Sequence, residues 1–158
     1  NALVQNIGGG NTMMFNMAAR KLLLTAGPKA NPVAHDWWTY ILVSGCGGRV
    51  FYDPKPEVRY RQHDKNLIGN SARWATSFRR VRMILSGRLR DWNQRNLDAL
   101  KAADYPLSSE SVALMQRFER LREGPSFVAV VRLFKHGIYR QTLLDNLGLA
   151  LAAMFRKL

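Results

Sequence analysis

The hydrophobic pattern of this chain changes near Asn70, and the change limits the folds open to it. Before that residue, glycines and prolines interrupt short apolar runs, whereas after it apolar residues recur at the spacing of helices. One helix face of this kind comprises Trp74, Phe78, Val81 and Leu85. We therefore predict a mixed α/β segment over residues 1–70 and a helical extension over residues 71–158.

The first segment is expected to hold two helices and two short strands. A helix capped by Thr12 would end near Leu24, and a second would run from about Ala34 to Ser44. The runs Arg49–Tyr52 and Val58–Arg61 are rich in residues that favour strands, and the prolines between them suit a turn or an edge.

The extension is expected to consist of helices near 88–103 and 108–123, and of two more over 126–158 that break at Gly137. Its last helix carries the apolar run "LGLALAAMF", which is far shorter than the roughly 20 residues needed to span a bilayer. This run packs on its neighbours or lies at a membrane surface, with Arg156 and Lys157 toward the headgroups.

The charge balance points to an anionic partner. Lys and Arg number 24 against 11 Asp and Glu, a formal charge of +13, which suits nucleic acid, phosphorylated ligands or acidic lipids. The single cysteine, Cys46, excludes an internal disulfide framework and a multi-cysteine zinc site, and is consistent with a reducing compartment.

The stretch "HDWW" is the first candidate for chemistry. Asp36 at a helix start is either a cap that interacts with the helix dipole or a catalytic carboxylate. Trp37 and Trp38 follow it, and indole faces beside a carboxylate are suited to a sugar, although a place in the core is the alternative.

A second group of candidates alternates along the predicted second strand. Arg59, Arg61, His63 and Lys65 would project to one side, where cationic donors suit a diphosphate; a solvated edge strand would have the same pattern. The ligand spacing of a self-contained metal site, a nucleophile elbow and a phosphate-binding loop are all absent from the sequence.

Taken in order, "GGGNTMMFN", "HDWW", "GRVFY" and "YRQHDKNLIGN" resemble the downstream half of bacterial family 2 glycosyltransferases, especially the rhamnosyltransferase-like enzymes of polysaccharide assembly. The likeness covers about Ile7 to Gly69 and extends more weakly to Leu133–Asn146. It implies an α/β fragment, the C-terminal part of a GT-A-like nucleotide-diphospho-sugar transferase domain, followed by a mostly α-helical extension.

The resemblance also assigns roles to residues. Asp36 would be the general base that deprotonates the acceptor hydroxyl in one inverting step. His63 would lie near the diphosphate or its bound metal, with Arg61 and Gln62 as weaker candidates for the same role. The residues implied to bind donor or acceptor are Gly9, Gly10, Asn11, Thr12, Trp37, Trp38, Arg61 and Gln62. His35 and Asp64 are set aside as bystanders.

One departure from the family is the lack of its upstream, nucleotide-binding half with the Asp-x-Asp metal motif. We therefore expect the chain to be a fragment, inactive alone and prone to self-association along an uncovered sheet edge. The intact enzyme would use Mg or Mn, a nucleotide sugar donor and a saccharide or lipid-linked acceptor. Its expected location is the cytoplasm, at the inner face of the cytoplasmic membrane.

Two other functions remain alternatives. A helical nucleic-acid-binding module would use the arginines between Arg73 and Arg90, which no acid interrupts, and its binding would fall steeply with salt. A peripheral membrane-binding module without catalysis would use the apolar tail. The nucleic-acid function leaves the quoted motifs unexplained, so no nucleic acid partner is expected.

Overall fold

The computed structural model describes residues 1–27, 30–55, 86–102, 104–124 and 126–158. These residues form six α-helices and one short 3₁₀ turn at Gly10–Thr12. The helices are α1 (Met17–Ala26), α2 (His35–Gly45), α3 (Arg88–Lys101), α4 (Ser109–Glu123), α5 (Ser126–Lys135) and α6 (Leu143–Met154).

Side-chain caps fix the starts of three helices. Ser108 accepts a hydrogen bond from Ser111 N at 3.2 Å, as its predicted role as a cap requires. Thr142 caps α6 in the same way. Thr12 does not cap α1: Asn16 accepts the bond from Ala19 N at 3.0 Å, because α1 begins later than the sequence pattern indicated.

The helices predicted in the extension are confirmed where the structure describes them. The helices α3 and α4 match the expected ranges, and α5 and α6 are separated by a turn in which Gly137 has φ 69°. This positive φ is a conformation that glycine adopts without steric cost, so the break lies where the residue type permits it. The helix predicted around Trp74–Leu85 lies outside the described residues.

The α/β prediction is wrong for the residues that the structure describes. They form no strand, and Arg49–Tyr52, the first predicted strand, is irregular and exposed. Strand-favouring residues need a partner strand for their backbone hydrogen bonds. Arg49 instead places its guanidinium 5.3 Å from the ring of Phe51. The predicted partner strand, Val58–Arg61, lies outside the described residues.

The expected self-association depended on a sheet edge. Because the described ranges contain no sheet, they also present no edge of this kind. This route to self-association is therefore withdrawn together with the GT-A-like fold class.

Two hydrophobic clusters hold the helices together. We call the first the tryptophan cluster; its buried members are Ala2, Ala26, Trp37, Trp38, Ile41, Leu42, Ala99, Leu100 and Tyr105. We call the second the Phe118 cluster; its buried members are Val4, Leu89, Leu97, Phe118, Leu121, Ala129, Leu133, Ile138, Leu149, Ala152, Ala153 and Leu158.

Both clusters draw on residues from either side of the predicted division at residue 70. The N-terminal segment supplies Ala2 to the tryptophan cluster and Val4 to the Phe118 cluster, and α3 contributes to both. Hydrogen bonds add to this packing, since Gln141 N donates to Gln5 Oε1 at 3.0 Å. The division into 1–70 and 71–158 stays a prediction, while the packing links the two segments.

Candidate functional site

The start of α2 is held in place by packing on its inner side and by backbone bonds at its outer end. Ala34 is the N-cap, and its carbonyl accepts a hydrogen bond from Trp38 N at 2.9 Å. The Thr39 hydroxyl donates to the His35 carbonyl at 2.8 Å. Helix α1 packs alongside, with Ala26 in the tryptophan cluster. Side chains on the first turn of α2 therefore project from a fixed support.

Asp36 lies in the first turn and is partly exposed. Its Oδ1 accepts a hydrogen bond from Trp37 N at 2.7 Å, which uses one of the free backbone donors of the helix start. Among the described residues no donor or cation is bonded to Oδ2. The carboxylate is thus oriented through Oδ1.

The glycine turn, which we define as residues 8–12, is the second part of the site. Both the backbone N and the hydroxyl of Thr12 donate to the Gly9 carbonyl, at 2.9 and 2.8 Å. These bonds form the 3₁₀ turn and leave Gly9, Asn11 and Thr12 exposed. Hydrogen bonds between residues of the turn hold its shape, and the turn presents backbone and short polar side chains to solvent.

His35 brings the two parts together. A Cβ atom added at Gly10 would overlap the His35 Nε2 atom and come within 3.0 Å of Cδ2. The imidazole therefore lies directly against the Gly10 backbone, in space that a side chain at residue 10 would occupy. At Gly8, by contrast, an added Cβ would meet its nearest atoms at 3.9 Å, so space is required at Gly10 in particular.

The two tryptophans are not at the surface of this site. They are 6% and 5% exposed, and both belong to the tryptophan cluster. Trp37 Nε1 donates to the Ala2 carbonyl at 2.6 Å, and Trp38 meets Tyr105 edge to face with 5.8 Å between ring centroids. Of the two roles considered for them, the structure favours the core, because a buried indole has no open face for a sugar.

The burial of the two tryptophans also fixes the helix that carries the site. A buried aromatic side chain with a satisfied polar atom fixes the helix that carries it. Since His35 and Asp36 directly precede these indoles, the burial of the tryptophans fixes the turn of α2 that carries His35 and Asp36.

No known protein family, curated protein or solved structure matches this chain.

Three residues of the expected diphosphate region, Arg61, Gln62 and His63, lie outside the described residues. Within the described ranges no group of three or more His, Cys, Asp or Glu side chains could hold a metal ion. His35 and Asp36 alone do not make such a group, so the described residues do not fit a metal site. We derive no step through a metal ion here.

The sequence pattern predicts that His35 is a bystander, and the structure adds its contact with Gly10. Three consecutive glycines indicate backbone that something approaches closely, and that signal was present at residues 8–10. What the sequence could not give was the identity of the approaching group, because residues 10 and 35 meet through the packing of α2.

Proposed function

We propose that this chain supplies the acceptor side and the general base of an inverting glycosyltransferase. The observation that carries the proposal is the contact between His35 and Gly10, which joins the glycine turn to the start of α2. These are the two motifs to which the resemblance gives the sugar-binding and base roles. Their contact supports a common site built from both.

In the proposed reaction Asp36 accepts the proton of an acceptor hydroxyl through Oδ2. The acceptor oxygen forms a bond to the anomeric carbon of the donor sugar, while the bond from that carbon to the diphosphate oxygen breaks. The electron pair leaves with the nucleoside diphosphate, and the proton stays on the carboxylate. Because the oxygen attacks opposite the leaving group, the anomeric configuration inverts.

The surroundings of Asp36 suit this role. The bond from Trp37 N fixes the plane of the carboxylate at the start of α2. Fixed orientation of a base relative to the reacting hydroxyl is a main source of rate acceleration. Asp36 is partly exposed, which gives the access that proton transfer needs.

The glycine turn is proposed to border the saccharide. Gly9, Gly10, Asn11 and Thr12 offer backbone groups, one amide and one hydroxyl, a set suited to hydroxyl-rich ligands. His35 keeps the turn at its distance from Asp36 and is a positioning residue.

The donor is proposed to be a nucleotide sugar carrying a hexose such as rhamnose, and the acceptor a saccharide or lipid-linked saccharide of cell-surface polysaccharide assembly. In the intact enzyme Mg or Mn would offset the charge of the diphosphate. The proposed location is the cytoplasm, with which the single cysteine is consistent.

The decisive experiment compares wild type with Asp36→Asn in the full-length protein. Nucleoside diphosphate release is measured with a panel of nucleotide sugars, Mg or Mn, and a crude lipid acceptor. Loss of a general base should lower acceptor-dependent release by about 10²- to 10⁴-fold. Donor binding, measured separately by calorimetry, should be unchanged.

Asp91→Asn is the matched control, because Asp91 is an exposed aspartate in the first turn of another helix, α3. It should leave release unchanged. Equal release by wild type and Asp36→Asn would remove Asp36 from the role of base. Absence of release with every donor and acceptor would contradict the proposed enzyme class.

The nucleic-acid-binding alternative receives no support from the described residues. Most of its arginines lie outside them, and Arg88 places its guanidinium 4.8 Å from the Trp92 ring centroid. We therefore propose one function only.

A further inference from the structure

The last helix, α6, has two apolar faces. Its inner face supplies Leu149, Ala152 and Ala153 to the Phe118 cluster. Its outer face, which we call the α6 apolar face, consists of Leu143, Leu144, Leu147 and Met154, with Phe155 just beyond the helix end. A helix that packs on one side normally carries polar residues on the other, so the composition of the outer face requires a different explanation.

The exposure of this face is large. Leu143 is 90% exposed, Leu144 and Leu147 are each 58% exposed, and Met154 is 46% exposed. The one acidic residue of α6, Asp145, accepts a hydrogen bond from the Thr142 hydroxyl at the N-cap. The face therefore carries no negative charge, and isolated surface leucines do not account for a stripe that follows the whole helix.

Basic residues border the C-terminal end of the face. Arg156 and Lys157 follow Phe155, and the Arg156 carbonyl accepts a hydrogen bond from Arg90 Nη1 at 3.3 Å. Arg122 lies beside them, since its Nη2 donates to the Arg90 carbonyl at 3.2 Å and its Nε to the Leu158 carbonyl at 2.9 Å. Three chain segments thus bring four cations together where the apolar stripe ends.

A similar stripe lies on α5, the neighbour of α6 in the Phe118 cluster. Phe127, Val131 and Phe134 recur at helical spacing and are exposed. Arg132 and Lys135 are the charged residues of this helix, and both are exposed. The combination of exposed apolar stripe and cations is therefore repeated on the adjoining helix.

We infer that the α6 apolar face binds the surface of an anionic lipid membrane. Large exposed aliphatic and aromatic side chains enter the boundary of the acyl chains, and the adjoining cations contact acidic headgroups. A helix of 12 residues is about 18 Å long, short of the roughly 30 Å hydrocarbon core. No helix in the described part of the chain is long and apolar enough to cross a membrane, so the geometry is one of lying on the surface.

Charge is the reason for choosing lipid over a second copy of the chain. A copy would bring its own four cations and a share of its +13 charge against the same surface, and like charges oppose that approach. An anionic membrane satisfies both the apolar stripe and the cations at its end.

Vesicle flotation of the full-length protein tests the inference. Vesicles of phosphatidylcholine with phosphatidylglycerol should bind the protein, and vesicles of phosphatidylcholine alone should bind it far less. The double variant Leu143→Glu/Leu147→Glu should lower the partition coefficient by about tenfold or more. Arg156→Gln/Lys157→Gln should lower it less and weaken its dependence on salt.

Matched controls come from α1. Leu24→Glu changes an exposed leucine, and Arg20→Gln/Lys21→Gln removes two exposed cations away from the face. Both should bind vesicles as wild type does, and thermal unfolding should show that all variants are folded. Equal losses in the α6 and α1 variants, or no preference for anionic vesicles, would overturn the inference. Dimers in sedimentation that Leu147→Glu dissociates, without vesicle binding, would assign the face to a second copy instead.

Because these assays contain neither donor nor acceptor, their outcome does not depend on the proposed reaction. A protein that transfers sugar without binding vesicles, or the reverse, would separate the two proposals.

Discussion

The two ends of the chain place their hydrophobic side chains in opposite ways. Around α2, the most hydrophobic residues point inward, with Trp37 only 6% exposed, while His35 and Asp36 remain at the surface. Around α6, leucines lie on both sides of the helix, and Leu143 is 90% exposed. The first region stabilises a polar site, and the second leaves an apolar surface uncovered.

This difference shows that residue type alone does not determine the role of an apolar side chain. The tryptophans were candidates for a ligand surface or for the core and lie in the core, whereas the leucine run, for which packing and a membrane surface were both left open, is exposed in part. In each case the deciding factor is which face of the helix meets the hydrophobic clusters, since a helix packed on one side buries only the residues of that side.

The largest expected effect comes from comparing Trp38→Ala with Leu143→Ala. Removing a buried aromatic ring should lower the free energy of unfolding by about 3–5 kcal/mol, because the cavity cannot close fully. Leu143→Ala should change it by less than about 0.5 kcal/mol. Urea unfolding followed by circular dichroism measures both. Equal losses would mean that Leu143 is covered in the folded protein.

A smaller test concerns Asn93 and Asn96 on α3, the helix that contributes to both clusters. Each is 1% exposed. Asn96 Oδ1 accepts a hydrogen bond from Val33 N at 3.2 Å, whereas neither amide atom of Asn93 has a partner among the described residues.

Asn96→Leu should therefore lower the free energy of unfolding by about 1 kcal/mol, because Val33 N would lose its partner, a loss that removal of the unpaired Asn96 Nδ2 offsets in part. Asn93→Leu should raise it by about 1 kcal/mol, since a buried polar group without a hydrogen bond is costly. Chemical denaturation of both variants measures whether the free energy of unfolding rises or falls in each. A loss of stability in Asn93→Leu would show that the amide is bonded in solution.

Much of the helical part of this fold could be predicted from local pattern. The start of α4 followed from Ser108, and the break between α5 and α6 from Gly137, because caps and glycines act within a few residues. The predicted strand at Arg49–Tyr52 failed for the opposite reason. Strand formation depends on a second segment that pairs with the first, which the local pattern of one segment cannot guarantee.

The candidate site also has features that follow from local pattern and features that depend on tertiary packing. The carboxylate of Asp36 and the glycines before Asn11 could be proposed from the sequence because their residue types limit what they can do. The contact of His35 with Gly10 was not found, since it joins residues that only tertiary packing brings together. The burial of the tryptophans was left open for the same reason.

Gly10→Ala gives a test of that contact with little effect on stability. The added methyl would overlap the His35 ring, and the exposed glycine turn can shift to relieve the overlap, so the free energy of unfolding should fall by less than about 1 kcal/mol. In the proposed enzyme, transfer activity should fall by about tenfold, because the turn and Asp36 would move apart.

The control is Gly8→Ala, whose added Cβ has no close neighbour. It should behave as wild type, and His35→Ala should restore activity in part when combined with Gly10→Ala. Equal activity of the two alanine variants would separate the glycine turn from Asp36, the proposed base.

The smallest expected effect is a pH dependence at Cys46, which follows α2 and packs on the tryptophan cluster. Burial raises the pKa of the Cys46 thiol, so the folded protein holds the thiol proton more tightly than the unfolded chain does. The corresponding stabilisation is complete below the unfolded pKa and is lost as pH rises through the folded one. Alkylation by iodoacetamide should reach half its maximal rate above pH ~8.5 in the folded protein and near ~8.5 in urea. The same midpoint in both conditions would mean that the end of α2 opens freely to solvent, which the packing of the tryptophan cluster does not allow.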